Sequence, residues 1–181
     1  MPEGVKRIQV TLQTTQPVPS ASHRLDMVRT HKPNLLKGIV AGLIGGLVGV
    51  AAKSIAERIY PPRIHGEPEP HHILAEKLAG RHLSRSESHV TEEAIHWGFG
   101  AAAGVAYGAL AEYYPAATSN GGAAFGATLT TLTHGTTLPA LGLSTSSEEQ
   151  SKREKRSEVA SHVVYGIATE TVRSIVRGIL R

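Results

Sequence analysis

Charged and apolar residues alternate in long blocks along the chain. Residues 94–111 and 113–147 contain no Asp, Glu, Lys or Arg. The charges gather between the apolar blocks, in residues 1–37, 57–93 and 148–158. Blocks of this kind are typical of membrane-spanning helices and the loops that join them. The pattern therefore predicts an all-α protein in which four transmembrane helices form a bundle.

Proline and capping signals set the bounds of the predicted helices. Asn34 follows Pro33 and is a suitable N-cap, while Pro61-Pro62 stops the first helix. Together with the apolar blocks, these signals predict helices over about 34–59, 91–113, 120–138 and 157–180. These helices make up a membrane domain over residues 34–181.

The segments outside the four helices are polar. Residues 1–33 carry Pro17, Pro19 and Pro33 and predict a flexible tail. Residues 71–83 also fit a short helix that either lies on the membrane surface or caps the bundle. Residues 148–158 are highly charged and predict a solvated loop.

Glycines recur at intervals of four residues in three of the predicted helices. Residues four apart share one face of a helix, and in water each glycine costs about 1 kcal/mol relative to alanine. In a bilayer the helix survives this cost, and the flat face lets a second helix approach closely. We therefore predict helix–helix contacts at Gly42, Gly46, Gly100, Gly104, Gly108, Gly122 and Gly126. The alternatives are an Ala/Gly-rich soluble helical protein and a homo-oligomer joined through the same faces.

Composition excludes several classes of function. The absence of cysteine removes disulfides, thiol catalysis and cysteine-ligated metal sites. The net charge of +4 is spread over several segments, and aromatic residues are few, so no nucleic-acid surface is predicted. No phosphate loop, dinucleotide fingerprint or nucleophile elbow is present. We accordingly predict neither an enzyme nor a cofactor.

Four segments of the chain form a recognisable series. In chain order they are GIVAGLIGGLVGVAAKSIAERIYPPR, HWGFGAAAGVAYGALAEYYP, LTHGTTLPALGL and SEVASHVVYGIATETVRSIVR. Together they resemble YagU-like bacterial inner-membrane proteins, a family without an established biochemical role. The resemblance implies a multi-pass protein of the inner membrane with four helices, whose partner is the lipid bilayer. It implies no reaction.

Titratable side chains inside the predicted spans are the candidate functional residues. Charged groups in membrane helices are costly and usually face a partner or a water-filled cavity. Histidine changes charge near physiological pH, so three intramembrane histidines predict a proton-sensitive polar network. Its candidate members are Lys53, Glu57, His96, Glu112, His134, His162, Glu170 and Arg173. Interhelical hydrogen bonds that only hold the bundle together are the alternative.

Two parts of this network have further alternatives. Lys53 and Glu57 lie four apart and can pair, or both can reach the headgroup region instead. Glu93 and His96 have the Glu-x-x-His spacing of di-iron bundles. The other helices lack matching glutamates, so no metal site is predicted.

His134 is the most informative residue of the set. It is the only titratable group between the tyrosine at 114 and residue 147, and it lies five residues before Pro139. The missing N–H of that proline frees a carbonyl near Gly135, which is a place for water or a proton to enter. The predicted partners of His134 are His162 or Glu112.

The sequence leaves two classes of function open. The first is a non-enzymatic membrane protein that assists transport or a pH response, and the second is a structural or oligomeric membrane component. Lys and Arg residues number nine on each side of the predicted bundle. Because the basic residues just before the first helix outnumber those just after it, we expect both termini in the cytoplasm.

Overall fold

A computed structural model describes residues 33–63, 70–145 and 149–180. Within these residues the regular structure is entirely helical, which confirms the predicted all-α class. Nearly all of the predicted tail lies outside the described residues. The main helices are α1 (Leu35–Ile59), α2 (Pro70–Ala79), α3 (Arg85–Tyr113), α4 (Ala123–Leu132) and α5 (Lys152–Ile179).

Helix α1 has the bounds that the sequence predicts. The Asn34 side chain accepts a hydrogen bond of 3.0 Å from the Lys37 N–H and so caps the first turn. The helix ends at Ile59, before Pro61-Pro62. The Asn34 cap at the start and two prolines at the end thus fix this element locally.

Helices α3 and α5 begin earlier than predicted. Ser84 and Glu87 form a capping box, which starts α3 at Arg85 rather than near residue 91. The Ser151 side chain accepts the Glu154 N–H at 3.1 Å and starts α5 at Lys152. The prediction of a solvated loop over residues 148–158 is therefore wrong from residue 152 onward.

Helix α4 begins later and is less regular than predicted. Asn120, Gly121 and Gly122 have φ of 56°, 59° and 86°, and these left-handed conformations keep the segment before Ala123 out of an α-helix. After Leu132 the chain continues as a π-helical turn, Thr133–Thr137, and one α-turn, Leu138–Ala140. Pro139 lies inside this last turn.

Helix α1 lies at the centre of the bundle, between α3 and α5. It contacts α3 on one face and α5 on another, while α4 packs on α5 and α2 on α3. The chain reverses direction between α1 and α3, because Gly42 meets Gly104 and Gly108 whereas Gly46 meets Gly100 and Gly104. We call the end where α1 begins the first end, and the end where α1 finishes the second end.

Glycine permits the closest helix contacts. A Cβ atom on Gly104 would lie 2.6 Å from Gly46 Cα and 2.5 Å from the Gly42 carbonyl oxygen. A Cβ atom on Gly45, on another face of α1, would lie 2.5 Å from the Thr169 carbonyl oxygen of α5. Two further glycines, Gly122 and Gly126, lie against the backbone of α5. All seven glycines predicted to pack lie at contacts with another helix.

Among the described residues, α1 is the one helix that is long and apolar enough to cross a membrane. It has 25 residues, and its most apolar window has a mean hydropathy of 2.0. Helix α5 carries many charges and α4 is only 10 residues long before its π-turn. Four spans therefore go beyond what length and hydropathy support.

Candidate functional site

The eight predicted polar residues lie in two groups near opposite ends of the bundle. Glu112 and His96 are both on α3, sixteen residues apart, which is about 24 Å along a helix. The Glu112 cluster, at the first end, contains Asn34, Tyr107, Glu112, Glu170, Arg173 and Arg177. The His134 cluster, at the second end, contains Lys53, Glu57, Arg63, His96, His134, Glu158, Ser161 and His162.

A bidentate ion pair lies at the centre of the Glu112 cluster. Arg177 Nε donates to Glu112 Oε1 at 2.5 Å, and Arg177 Nη2 donates to Oε2 at 3.1 Å. The Asn34 backbone N–H donates to Oε2 at 2.9 Å, which ties the start of α1 to the same carboxylate. All these partners are fixed in a geometry that favours strong charge-assisted hydrogen bonds. Arg177 was not among the predicted network residues.

A second ion pair in this cluster joins two residues of α5 to α3. Arg173 donates to Glu170 through Nε at 2.6 Å and through Nη2 at 2.8 Å. The hydroxyl of Tyr107, which is 1% exposed, donates to the same carboxylate at 2.8 Å. The first end therefore places two arginines opposite two carboxylates, and each carboxylate has a further donor.

In the middle of the bundle, α5 contributes buried polar side chains. The Tyr165 hydroxyl donates to the Gly100 carbonyl of α3 at 2.7 Å. Thr169 is fully buried one turn further along α5. Phe125 of α4 stacks on Tyr107 with 4.2 Å between ring centroids, which closes the space between α4 and α3.

The His134 cluster differs from the Glu112 cluster, because some of its contacts are close hydrogen bonds and others are longer. Lys53 and Glu57 form the predicted pair at 2.5 Å, and Ser161 of α5 donates to Glu57 at 3.1 Å. His96 Nε2 lies 3.3 Å from the Ser54 hydroxyl. These contacts join α1 to α5 and to α3.

His134 itself faces a carboxylate that the sequence analysis did not assign to it. Its Nδ1 lies 2.9 Å from Glu158 Oε1, but the angle between them is not that of a hydrogen bond. His162, one of the two predicted partners, has its ring centroid 5.1 Å from that of His134. Glu112, the other predicted partner, lies in the opposite cluster. The sequence signal for Glu158 was its position four residues before His162, one turn along α5.

Arg63 also approaches Glu158, from the segment that follows α1. Its Nη2 lies 3.8 Å from Glu158 Oε1, and its Nε lies 3.9 Å from Glu154 Oε1. These separations exceed hydrogen-bond distance. Glu158 is only 2% exposed. Its carboxylate therefore has two cationic or titratable neighbours and a tight hydrogen bond to neither.

Helix α2 is attached to α3 by a histidine near the second end. His72 Nδ1 lies 2.5 Å from Glu92 Oε1 and 2.9 Å from the Ser88 hydroxyl. The hydrogen bond with Glu92 raises the pKa of His72 above its ordinary value, and burial opposes this shift. Nearby, hydrogen bonds from Arg81 and Ser84 lower the pKa of Glu87 to about 2.

The remaining loop histidines carry less information. His82 pairs with Glu76 at 2.9 Å but is 97% exposed. His65 lies outside the described residues. Within the ranges that the structure describes, no three His, Asp or Glu side chains are arranged to hold a metal ion.

Comparisons with known proteins place the chain in a family but give no activity. Neither the curated proteins nor the solved structures gave a match. The family model "Protein of unknown function (DUF1440)" matches residues 47–171, which cover the second half of α1, all of α2, α3 and α4, and the first two thirds of α5. This range contains Lys53, Arg63, His134 and Glu158, whereas Arg173 and Arg177 follow it. Because the match covers more than half of the chain, the protein belongs to the DUF1440 family.

Proposed function

We propose that this chain is a multi-pass protein of the bacterial inner membrane, whose buried polar side chains assist transport or a pH response. The observation that carries the proposal is the distribution of side chains around α5. This helix buries most of its charged and hydroxylated residues from Glu154 to Arg177 against the bundle and turns several of its aliphatic residues outward.

The side-chain distribution of α5 is the reverse of that expected in water. Its buried residues include Glu158, Thr169 and Arg173, whereas Ile167 and Ile175 are 44% and 58% exposed. A surface helix of a soluble protein buries its apolar stripe and exposes its charges. A polar interior with an apolar exterior suits a helix that is surrounded by lipid.

The outer surfaces of α1 and α3 support the same placement. The interhelical faces of α1 are mainly glycine and alanine, while its leucines, isoleucines and several valines point outward. On α3, the exposed aromatic residues Trp97 and Tyr113 are sixteen residues apart, which is about 24 Å along the helix. Aromatic residues gather at the two boundaries of a hydrocarbon core about 30 Å thick.

The polar stripe of α5 favours a role in transport or pH sensing. It runs from Glu158 in the His134 cluster through Tyr165 and Thr169 to Arg173 and Arg177 at the first end. Ionisable groups inside a membrane bundle are typical of ion and proton pathways. The stripe therefore supplies polar groups along almost the whole length of the bundle.

A purely structural membrane component is the second candidate. It is favoured by the close pairing in the Glu112 cluster, where Arg177 and Arg173 each make two hydrogen bonds to a carboxylate. The glycine contacts between α1 and α3 also favour a rigid scaffold. In a purely structural protein, no side chain of the His134 cluster has to gain or lose a proton.

Single cysteines test the membrane placement directly, since the chain has none of its own. A nitroxide on Ile167→Cys should collide often with dissolved oxygen and rarely with a water-soluble nickel chelate. The control is Leu78→Cys on α2, which is 72% exposed and which we place outside the spans. Equal access of the nickel chelate to both labels would overturn the placement in lipid.

Proteoliposomes distinguish the two candidates. A pH gradient across vesicles that contain the protein should cause a proton or solute flux that empty vesicles lack. The flux should depend on His134, so that His134→Gln reduces it while His96→Gln has a smaller effect. If vesicles with the protein show no more flux than empty vesicles, the transport role is rejected and the structural role remains.

A further inference from the structure

We propose that His134 and Glu158 form a proton-binding site, and that proton uptake there displaces Arg63 from Glu158. This inference rests on the proposed pH response and gives it a specific site and ligand. The proton comes from water and adds to the His134 imidazole, while Glu158 stays ionised. The displaced group is a side chain of this same protein.

The first step of the argument is the unequal quality of the ion pairs at the two ends. At the first end Arg177 contacts Glu112 at 2.5 and 3.1 Å, within hydrogen-bond distance on both oxygens. At the second end Arg63 remains 3.8 Å from Glu158 although both side chains are largely buried. A buried carboxylate without a close donor is costly, so a better partner for Glu158 is favoured.

The second step is the position of His134. Its Nδ1 is already 2.9 Å from the Glu158 oxygen that Arg63 faces, and both atoms are buried and lack a hydrogen bond. Protonation gives the imidazole two N–H donors and a positive charge. A small rotation then converts this contact into a charge-assisted hydrogen bond, which is stronger than the loose contact with Arg63.

The third step is the backbone that carries His134. It belongs to the π-helical turn Thr133–Thr137, where the Leu138 N–H reaches back five residues to the Thr133 carbonyl. Single π-turns are often found at functional sites. The Thr133 hydroxyl binds carbonyls of its own helix, the nearer at 2.7 Å, so it does not compete for Glu158.

The other charged groups around the site favour a single proton. His162 lies beside His134 and is only 4% exposed, so a positive charge on its ring would be costly next to a protonated His134. Glu57 is engaged by Lys53 and Ser161, and Glu154 lies near Arg63. Within the His134 cluster, His134 thus faces a carboxylate that no cation holds at hydrogen-bond distance.

Displacement of Arg63 would connect the proton to the segment after α1. Arg63 follows Pro61-Pro62, and the Tyr60 carbonyl accepts a hydrogen bond from Ser157, one residue before Glu158. When His134 takes the carboxylate, Arg63 keeps Glu154 as its neighbour at 3.9 Å. After proton uptake, the acidic neighbour of Arg63 on α5 would therefore be Glu154 alone, one turn before Glu158.

Nitrogen NMR of the arginine side chains tests the exchange on the full chain in lipid nanodiscs. The Nε–H signal of Arg63, assigned with Arg63→Lys, should shift as the sample is acidified, because protonated His134 then takes the place of Arg63 beside Glu158. The Nε–H signal of Arg177 is the internal control and should not shift. His134→Gln and Glu158→Gln should each abolish the shift of the Arg63 signal, whereas His96→Gln should preserve it.

Two results would overturn the proposal. One is an Arg63 signal that does not change with pH in the wild-type protein, and the other is a change that persists in His134→Gln. If neither His134→Gln nor Glu158→Gln folds, the wild-type comparison of Arg63 with Arg177 decides alone. An Arg63 shift without any flux in proteoliposomes would leave the proton site standing and reject the transport role. A flux without an Arg63 shift would reject the proton site and leave the transport role standing.

Discussion

Arg177 and Glu112 are 65 residues apart in the chain and form a two-point ion pair that joins the last helix to α3. The same carboxylate accepts the Asn34 N–H, so three segments meet at one buried charge. Glu112 and Arg177 are 6% and 7% exposed. Removal of either partner would therefore leave a buried charge with fewer contacts to compensate it.

We predict that Arg177→Gln lowers the free energy of unfolding by about 3 kcal/mol, because it removes a two-point ion-pair partner from the buried Glu112 carboxylate. Denaturant unfolding in detergent micelles measures this loss. Arg58→Gln is the matched control, since Arg58 is an exposed arginine at the end of α1, and it should cost less than about 0.5 kcal/mol.

The double variant Glu112→Gln/Arg177→Gln sharpens this test. It should lose less stability than the sum of the two single variants, because no unpaired charge remains. Additive losses would mean that the two side chains do not stabilise each other. If Arg177→Gln and Arg58→Gln both lower the free energy of unfolding by the same small amount, the pair of Arg177 and Glu112 does not stabilise the fold.

The glycine contacts predict opposite effects for two alanine substitutions on the same helix. Gly104→Ala should destabilise the protein by about 1–3 kcal/mol, because the added Cβ meets the backbone of α1 at 2.5–2.6 Å. Gly98→Ala should stabilise it by up to about 1 kcal/mol, since no atom lies within 4 Å of the added Cβ and alanine favours a helix. Thermal unfolding of both variants in detergent measures the difference. If Gly104→Ala is as stable as Gly98→Ala, the contact between α1 and α3 is not as close as described.

The parts of the fold that depend on local patterns were predictable. The bounds of α1 follow from Asn34 and the two prolines, and the repeat of Gly100, Gly104 and Gly108 marks one face of α3 without reference to any partner. The early starts of α3 and α5 also had a local signal. Both have a Ser followed three residues later by a Glu, at Ser84 and Ser151, within segments whose charge suggested a loop.

The pairing of the polar residues was not predictable from one sequence. It depends on how each helix is rotated and shifted against its neighbours, and neither quantity is encoded in the spacing along one helix. The sequence therefore placed Glu112 and His134 in one network, although they lie in separate clusters. It also omitted Arg177 and did not pair Glu158 with His134, because each acquires its partner from a distant segment.

The orientation in the membrane gives a third prediction. With both termini in the cytoplasm, α2 lies on the outer side, and Leu78→Cys should react with a membrane-impermeant maleimide in intact spheroplasts. Ile179→Cys, which is 77% exposed near the end of α5, should react only after the membrane is opened. The opposite labelling pattern would reverse the orientation that we expect from the basic residues before α1.

The attachment of α2 to α3 gives a prediction about pH. His72 is bound to Glu92, and this contact raises its pKa. A histidine with a raised pKa in the folded state stabilises that state fully below its ordinary value of about 6.5 and loses this effect as the pH rises through the raised pKa. His72→Gln should therefore lower the unfolding temperature more at about pH 5.5 than at about pH 8.5.

His89→Gln is the matched control for this pH dependence. His89 is exposed on α3, one residue after Ser88, which also contacts His72. Its substitution should leave the unfolding temperature nearly unchanged at both pH values, because the contact between His72 and Glu92 is kept. The effect of His72→Gln should also become smaller when Glu92 is already replaced by Gln, since only the weaker contribution of Glu76 to the protonated ring then remains. A loss in His72→Gln that is equal at both pH values would mean that the ring stabilises α2 by packing rather than by its charge.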